Sequence, residues 1–151
     1  MNKKDLLKSQ LEICDMHYNR LKLAIAKIGN FFPLDEKSLS LISEDNLGYL
    51  EILTTRFAKL QDMLGEKVFV SILDILGEDI AGKSFIDKLN KLEKLEMIPS
   101  ANWWRDLRDL RNALTHEYPN ELALMADNLN LTFIEAQNLC AFYESLKQKN
   151  K

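Results

Sequence analysis

The sequence predicts an all-α protein, an antiparallel bundle of about five to six helices in a single domain spanning residues 1–151, and three observations carry that prediction. Along most of the chain apolar residues recur at alternating steps of three and four, which places them on one face of a helix. Only five Gly and three Pro occur in 151 residues, too few for the many turns of a sandwich or barrel. Hydrophobic residues make up 46% and charged residues 28%, the balance of a domain with a core and not of a disordered or fibrous chain.

The elements follow in order. Leu7, Leu11, Cys14, Tyr18, Leu21, Ile25 and Ile28 form one seam, and Gly29-Asn30 ends that first long helix. The stretch from Phe31 to Asp45, with Pro33 and several Ser, reads as a connection. Leu47, Leu50, Leu53, Phe57, Leu60 and Leu64 make a second long helix up to Gly65. Phe69, Ile72, Leu73 and Leu76 continue the period beyond it, as a separate helix or as the same one kinked. Ser84 opens a further amphipathic piece through Phe85, Leu89, Leu92 and Leu95. Ser100 can cap a helix carrying Trp103, Leu107, Leu110 and Leu114, which should run to about His116 because Tyr118 precedes Pro119. The last segment, Asn120 to about Lys147, buries Leu122, Leu129, Phe133, Ala136, Cys140 and Tyr143. Thr132 with Glu135 is a candidate restart after Asn130.

Charge and composition exclude several functions. With 20 basic and 23 acidic residues the net charge is −3, so no global positive field marks the chain as a nucleic-acid binder and any polyanion site must be local. No run of 18 apolar residues suggests a membrane span, and no apolar leader follows the first residues, so the chain reads as cytoplasmic. Cys14 and Cys140 lack any His or Cys at metal-ligand spacing and read as core thiols. His17, beside the seam residue Tyr18, reads as a surface or boundary residue.

Gly77-Glu78-Asp79-Ile80-Ala81-Gly82-Lys83-Ser84 matches the phosphate-loop pattern G-x-x-x-x-G-K-S. That loop belongs between a strand and a helix of a parallel sheet, whereas the segments around it have helical period. Glu78 and Asp79 would also face phosphates that repel them. The ordinary reading is that Gly77 ends one helix, Gly82-Lys83 turn the chain and Ser84 caps the next.

Three of the five arginines, Arg105, Arg108 and Arg111, fall within seven residues, which is a local, phosphate-sized concentration of fixed charge. At 100° per residue Trp103, Leu107, Leu110 and Leu114 share one face, and Arg105, Arg108, Asn112 and His116 share roughly the opposite one. Trp104, in line with Arg111 at the edge of the apolar stripe, is the candidate anchor for a second subunit. A strict helix separates Arg111 from His116 by about 140°, so their convergence requires the helix to end or a dimer to form.

Arg111-Asn112-Ala113-Leu114-Thr115-His116-Glu117-Tyr118 resembles the R-x4-H-x-Y signature of the HEPN superfamily, particularly the HepT-like toxins paired with minimal nucleotidyltransferases. The resemblance covers these eight residues and their place between two helices of a small all-α chain. It implies a HEPN-like bundle acting as a metal-independent endoribonuclease without a cofactor, a homodimer whose paired motifs line a cleft. By that likeness Arg111, Asn112 and His116 form the catalytic set. Tyr118 matches the tyrosine that a cognate nucleotidyltransferase antitoxin modifies with AMP. Arg105 and Arg108 are then contacts to the RNA backbone.

The residue types suit such chemistry. Attack by an RNA 2′-hydroxyl needs a proton acceptor, a proton donor and positive charge on the phosphate. A histidine serves either proton role near neutral pH, an arginine holds phosphate oxygens and an asparagine orients either. No cluster of carboxylates at metal-ligand spacing accompanies them, which favours a metal-free route. Two alternatives stay open: a non-catalytic regulatory or substrate-binding subunit of a nucleotidyltransferase with the same fold, and ordinary structural uses. In the latter His116 complements a helix dipole, Arg111 pairs with Asp106, Asp109 or Glu117, and Tyr118 packs.

Overall fold

The computed structural model describes residues 1–116 and 120–151, and Tyr118, with Glu117 and Pro119, lies outside the described residues. Helix α1, Lys3–Ile28, begins at Asn2, whose side-chain oxygen accepts from the Asp5 amide at 2.8 Å, and ends at Gly29. The connection that follows contains a short helix, α2, Glu36–Ser40, which the sequence reading takes as loop. Five residues are too few for an apolar period to register. Its signature is instead a capping box, Asp35 accepting from the Ser38 amide and the Ser38 hydroxyl accepting from the Asp35 amide.

Helix α3, Glu44–Met63, passes through a π-helical turn, Leu64–Val68, directly into α4, Phe69–Ile75. Of the two readings open at Gly65, a separate helix or the same one kinked, the structure has one continuous rod, with one extra residue inserted at the π-helical turn. Helix α5, Phe85–Lys94, is capped by Ser84 and α6, Ala101–Ala113, by Ser100, as the sequence predicts. Helix α7, Leu122–Lys149, runs unbroken. Thr132 does not restart it: the residue is fully buried and its hydroxyl donates to the Asn128 carbonyl of the preceding turn. Asn130 does not break it either. Its side-chain amide donates to the Leu34 carbonyl at 2.8 Å and accepts from the Leu34 amide at 2.7 Å, tying the connection before α2 to α7.

Among the described residues seven α-helices, with α3 and α4 joined in one rod, make an all-α bundle, and no strand occurs. Pairs across the interfaces show antiparallel neighbours. Lys3 meets Asp74 and His17 meets Arg56 between α1 and the rod, and Asp62 meets Arg111 while Gly65 meets Trp104 between the rod and α6. The core lies between α1, the rod and α7, where Leu21, Leu53, Phe57, Leu60, Leu139 and Tyr143 are fully buried. Cys14 and Cys140 are buried free thiols whose pKa is pushed up to about 12 by desolvation, which leaves them protonated and inert.

The buried stripe of α6 is turned relative to the sequence reading. Trp104, predicted to anchor a second subunit, is fully buried within its own chain, whereas Trp103 is partly exposed. The cause lies at Gly65, which falls within the π-helical turn. Gly65 carries no side chain where α6 crosses it, and a Cβ there would lie 3.3 Å from Trp104 Nε1. The indole fills that space and meets Phe69 at 4.6 Å and Phe142 at 5.8 Å between ring centroids. A side chain held this way is unavailable to a second subunit.

The G-x-x-x-x-G-K-S match also resolves into helix punctuation. Gly77 has φ 77° and ends α4, with the Glu78 amide donating to the Leu73 carbonyl at 3.0 Å in the manner of a Schellman cap. Gly82, φ 73°, turns the chain into Ser84, whose hydroxyl accepts from the Asp87 amide at 3.1 Å. The segment upstream is helix, and Lys83 shares its surroundings with Glu78, Asp79 and Asp87.

Candidate functional site

Helix α6 places its polar residues by its pitch and by the way it ends. Leu114 caps it, the Thr115 hydroxyl donates to the Asn112 carbonyl at 2.7 Å, and the His116 amide donates to the Ala113 carbonyl at 3.3 Å. The last turn thus tightens from four-residue to three-residue hydrogen bonds, and His116 leaves the helix at its C-terminal end, where the dipole favours a cation.

Because the buried stripe centres on Trp104, Arg111 lies on the inner flank of α6 and not on open surface. Its guanidinium makes a two-pronged contact with Asp62 of α3, Nε to Oδ1 at 3.1 Å and Nη2 to Oδ2 at 2.8 Å. None of the acids proposed from sequence neighbours is the partner, since Asp62 is 49 residues away along the chain. That contact, chiefly its hydrogen bonds, raises the Arg111 pKa further above its ordinary value. Asp62 takes two of the five N–H donors of the fork and leaves the others for the groove alongside. With both side chains about a third exposed, an Asp62→Ala/Arg111→Ala double-mutant cycle in urea is expected to give a coupling of about 0.5–1 kcal/mol.

Two adjoining grooves flank this helix end. One, of about 360 Å³, is lined by Arg111, Thr55, Ala58, Lys59 and Asp62. The other, of about 490 Å³, holds His116 with Leu47, Leu50, Glu51, Met125 and Leu129. Thr54 and Leu114 line both. Arg111 and His116 therefore face neighbouring grooves across one ridge, and a single subunit does not bring them to one point. Asn112 is exposed beside them. Arg108 and Arg105 are exposed one and two turns earlier on α6, and the Arg108 guanidinium lies over the Phe85 ring at 4.4 Å from its centroid.

A residue read from sequence as surface or boundary proves to be buried. His17 of α1 is 8% exposed, and its Nδ1 lies 2.9 Å from Arg56 Nη1 of α3. A guanidinium can only donate, so Nδ1 accepts and the imidazole is neutral with its proton on Nε2. Desolvation, then the charges of Arg56 and Lys59, hold its pKa below the ordinary 6.5. The unfolded chain consequently takes up this proton first as the pH falls. The contribution to stability is complete above pH 6.5 and is lost as the pH drops through the lowered folded-state value. Wild-type protein is expected to lose more stability in urea between about pH 7 and pH 5 than His17→Gln; parallel losses contradict this assignment. Two arginines lie outside α6 in the sequence, Arg20 and Arg56, and that was the available signal for this pair.

Among the described residues no group of three or more His, Cys, Asp and Glu is placed to hold a metal ion, and no helix is long and apolar enough to cross a membrane. No known family profile matches the chain, and no solved structure matches it. It is similar to the transcription elongation factor SPT6 of Gibberella zeae, with 29% identity over 137 aligned residues that take in 72% of this chain. The chain spans about 10% of that protein's length, and a likeness of this extent assigns it no family.

Proposed function

We propose that this chain is a HEPN-like, HepT-type endoribonuclease toxin that cleaves RNA without a metal ion and acts as a homodimer. The observation that carries the reading is the position of the R-N-x3-H run: it falls on the closing turn of α6, with Arg111 and His116 on adjoining grooves against α3. In this reading a 2′-hydroxyl proton passes to one His116 imidazole as the 2′-oxygen attacks phosphorus. The bond to the 5′-oxygen breaks as that oxygen takes a proton from the second copy's His116. The remaining N–H groups of Arg111 stabilise the charge gathering on the phosphate, and Asn112 orients it. The separation of Arg111 from His116 by the Thr54–Leu114 ridge supports a dimeric site, because a second copy can set its own His116 against the first copy's Arg111 groove. The apolar walls of the His116 groove, Leu47, Leu50, Met125 and Leu129, give that copy a face to cover. Arg105 and Arg108 extend the contact to RNA phosphates, and Tyr118 is the residue a nucleotidyltransferase antitoxin modifies with AMP.

A second reading, a non-catalytic regulatory or substrate-binding subunit of a nucleotidyltransferase, has one observation in its favour. Asp62 already occupies part of the Arg111 fork. Inducing the chain in a bacterial host separates the two. Growth arrest by the wild type that His116→Ala relieves supports the nuclease, and equal arrest by both removes it.

A further inference from the structure

We infer that the seam between α1 and α3 at His17, Arg56 and Lys59 is a second phosphate-binding site, which continues the Arg111 groove and holds the backbone of a single-stranded RNA. The inference rests on the ribonuclease reading and adds to it the route of the substrate beyond the cleaved bond.

The first ground is unbalanced charge in an acidic protein. Arg111, Lys3, Lys22, Lys91 and Lys147 each pair with a carboxylate, whereas Arg20, Arg56 and Lys59, like most of the chain's other cations, have no carboxylate partner among the described residues; what sets Arg56 apart from the exposed ones is its burial. Arg56 is partly buried and spends a donor on a neutral imidazole, with no acid in its place. A half-buried guanidinium left without a counter-ion in a net-negative chain is an unmet demand for an anion.

The second ground is preorganisation. The His17 ring is buried and its Nδ1 accepts from Arg56, which fixes both the imidazole tautomer and the orientation of the guanidinium before any ligand arrives. Lys59 follows Arg56 by three residues on α3, one turn along the same helix, and its charge, like that of Arg56, bears on the ring. Arg20, three residues after His17 on α1, stands one turn away on the same helix.

The third ground is continuity. Lys59 belongs both to this cluster and to the lining of the Arg111 groove. Arg56, Lys59 and Asp62 follow at steps of three along α3, so the path from Arg111 to His17 is a single stripe about two helical turns long. Asp62, the acid on that stripe, is neutralised by Arg111. Bases need no specific contact along such a path, because the phosphates supply the affinity.

The test uses the full-length chain carrying His116→Ala, so that RNA is bound and not consumed. Affinity for a fluorescent single-stranded oligoribonucleotide is measured over a series of salt concentrations in this parent, in Arg56→Gln/Lys59→Gln on the same background, and in a charge-matched control, Lys83→Gln/Lys94→Gln. Both control lysines are exposed, Lys83 just before α5 and Lys94 at its end, and α5 packs on α4 and α6. Loss of two phosphate contacts is expected to lower affinity by at least about tenfold at low salt and to reduce the salt slope by about 1.4, at about 0.7 per contact for single strands. The control should keep the parent's slope. Lys59→Gln alone, at an exposed position, should show about half the change in slope and guards against misfolding of the double variant. A parent that binds RNA and a double variant with the same affinity and slope overturn this inference while leaving the ribonuclease reading intact. An equal loss in the control also overturns it, by showing an effect of net charge alone. A parent that binds no RNA at any salt overturns both.

Discussion

Replacing His116 by alanine is expected to lower the rate of RNA cleavage by about 10²–10⁴-fold, the range that a positioned proton-transfer group contributes. The fold should be untouched. The side chain is exposed at the end of α6, and the hydrogen bonds that close the helix come from its backbone amide and from Thr115. Circular dichroism and the urea midpoint of His116→Ala should therefore match the wild type within about 0.5 kcal/mol, as for other exposed positions. Because the loss lies in proton transfer, kcat should carry nearly all of it and KM should move little. A loss confined to KM would instead mark His116 as a contact to substrate.

The largest effect on stability is expected at Trp104. Truncation to alanine is expected to cost about 3–5 kcal/mol and to lower Tm by roughly 10 °C, at about 2–4 °C per kcal/mol for a chain of this size. The indole is fully buried, packs against Phe69 and Phe142, and fills the space that Gly65 leaves in the π-helical turn. Its Nε1 has no hydrogen-bond partner among the described residues. Trp104→Phe accordingly sacrifices volume and no hydrogen bond, and should cost less than half as much as the alanine variant. Chemical denaturation of the two variants checks both figures. An alanine variant within 1 kcal/mol of wild type contradicts the packing described for α6.

The helices were legible where their signal is local. Alternating three-and-four spacing marked α1, α3 and α7, and Ser84 and Ser100 marked the starts of α5 and α6 through their ability to accept from the third amide of the helix. What the sequence reading missed depends on partners distant in the chain. The rotation of α6 that buries Trp104 is set by Gly65, in another helix, and the Arg111 partner is Asp62, one turn before that glycine. A helical wheel contains neither fact. On the wheel Trp103 falls inside the apolar face and Trp104 about 100° round at its edge, so it is the surface they pack against that turns the buried stripe toward Trp104. His17 was misplaced for the same reason, its burial being set by α3. The polar residues of the candidate site were legible as a list. Their separation into two grooves was not, because the ridge of Thr54 and Leu114 joins residues sixty positions apart.

The central claim is that the Arg111, Asn112 and His116 site cleaves RNA by attack of the 2′-oxygen on the adjacent phosphate. Its most direct test is to incubate purified protein with a defined oligoribonucleotide in excess EDTA and to identify the new ends by mass spectrometry. The account predicts fragments ending in 2′,3′-cyclic phosphate and beginning with a 5′-hydroxyl, absent when His116→Ala replaces the wild type. RNA left intact by the wild type, or fragments ending in a 3′-hydroxyl and beginning with a 5′-phosphate, would contradict it.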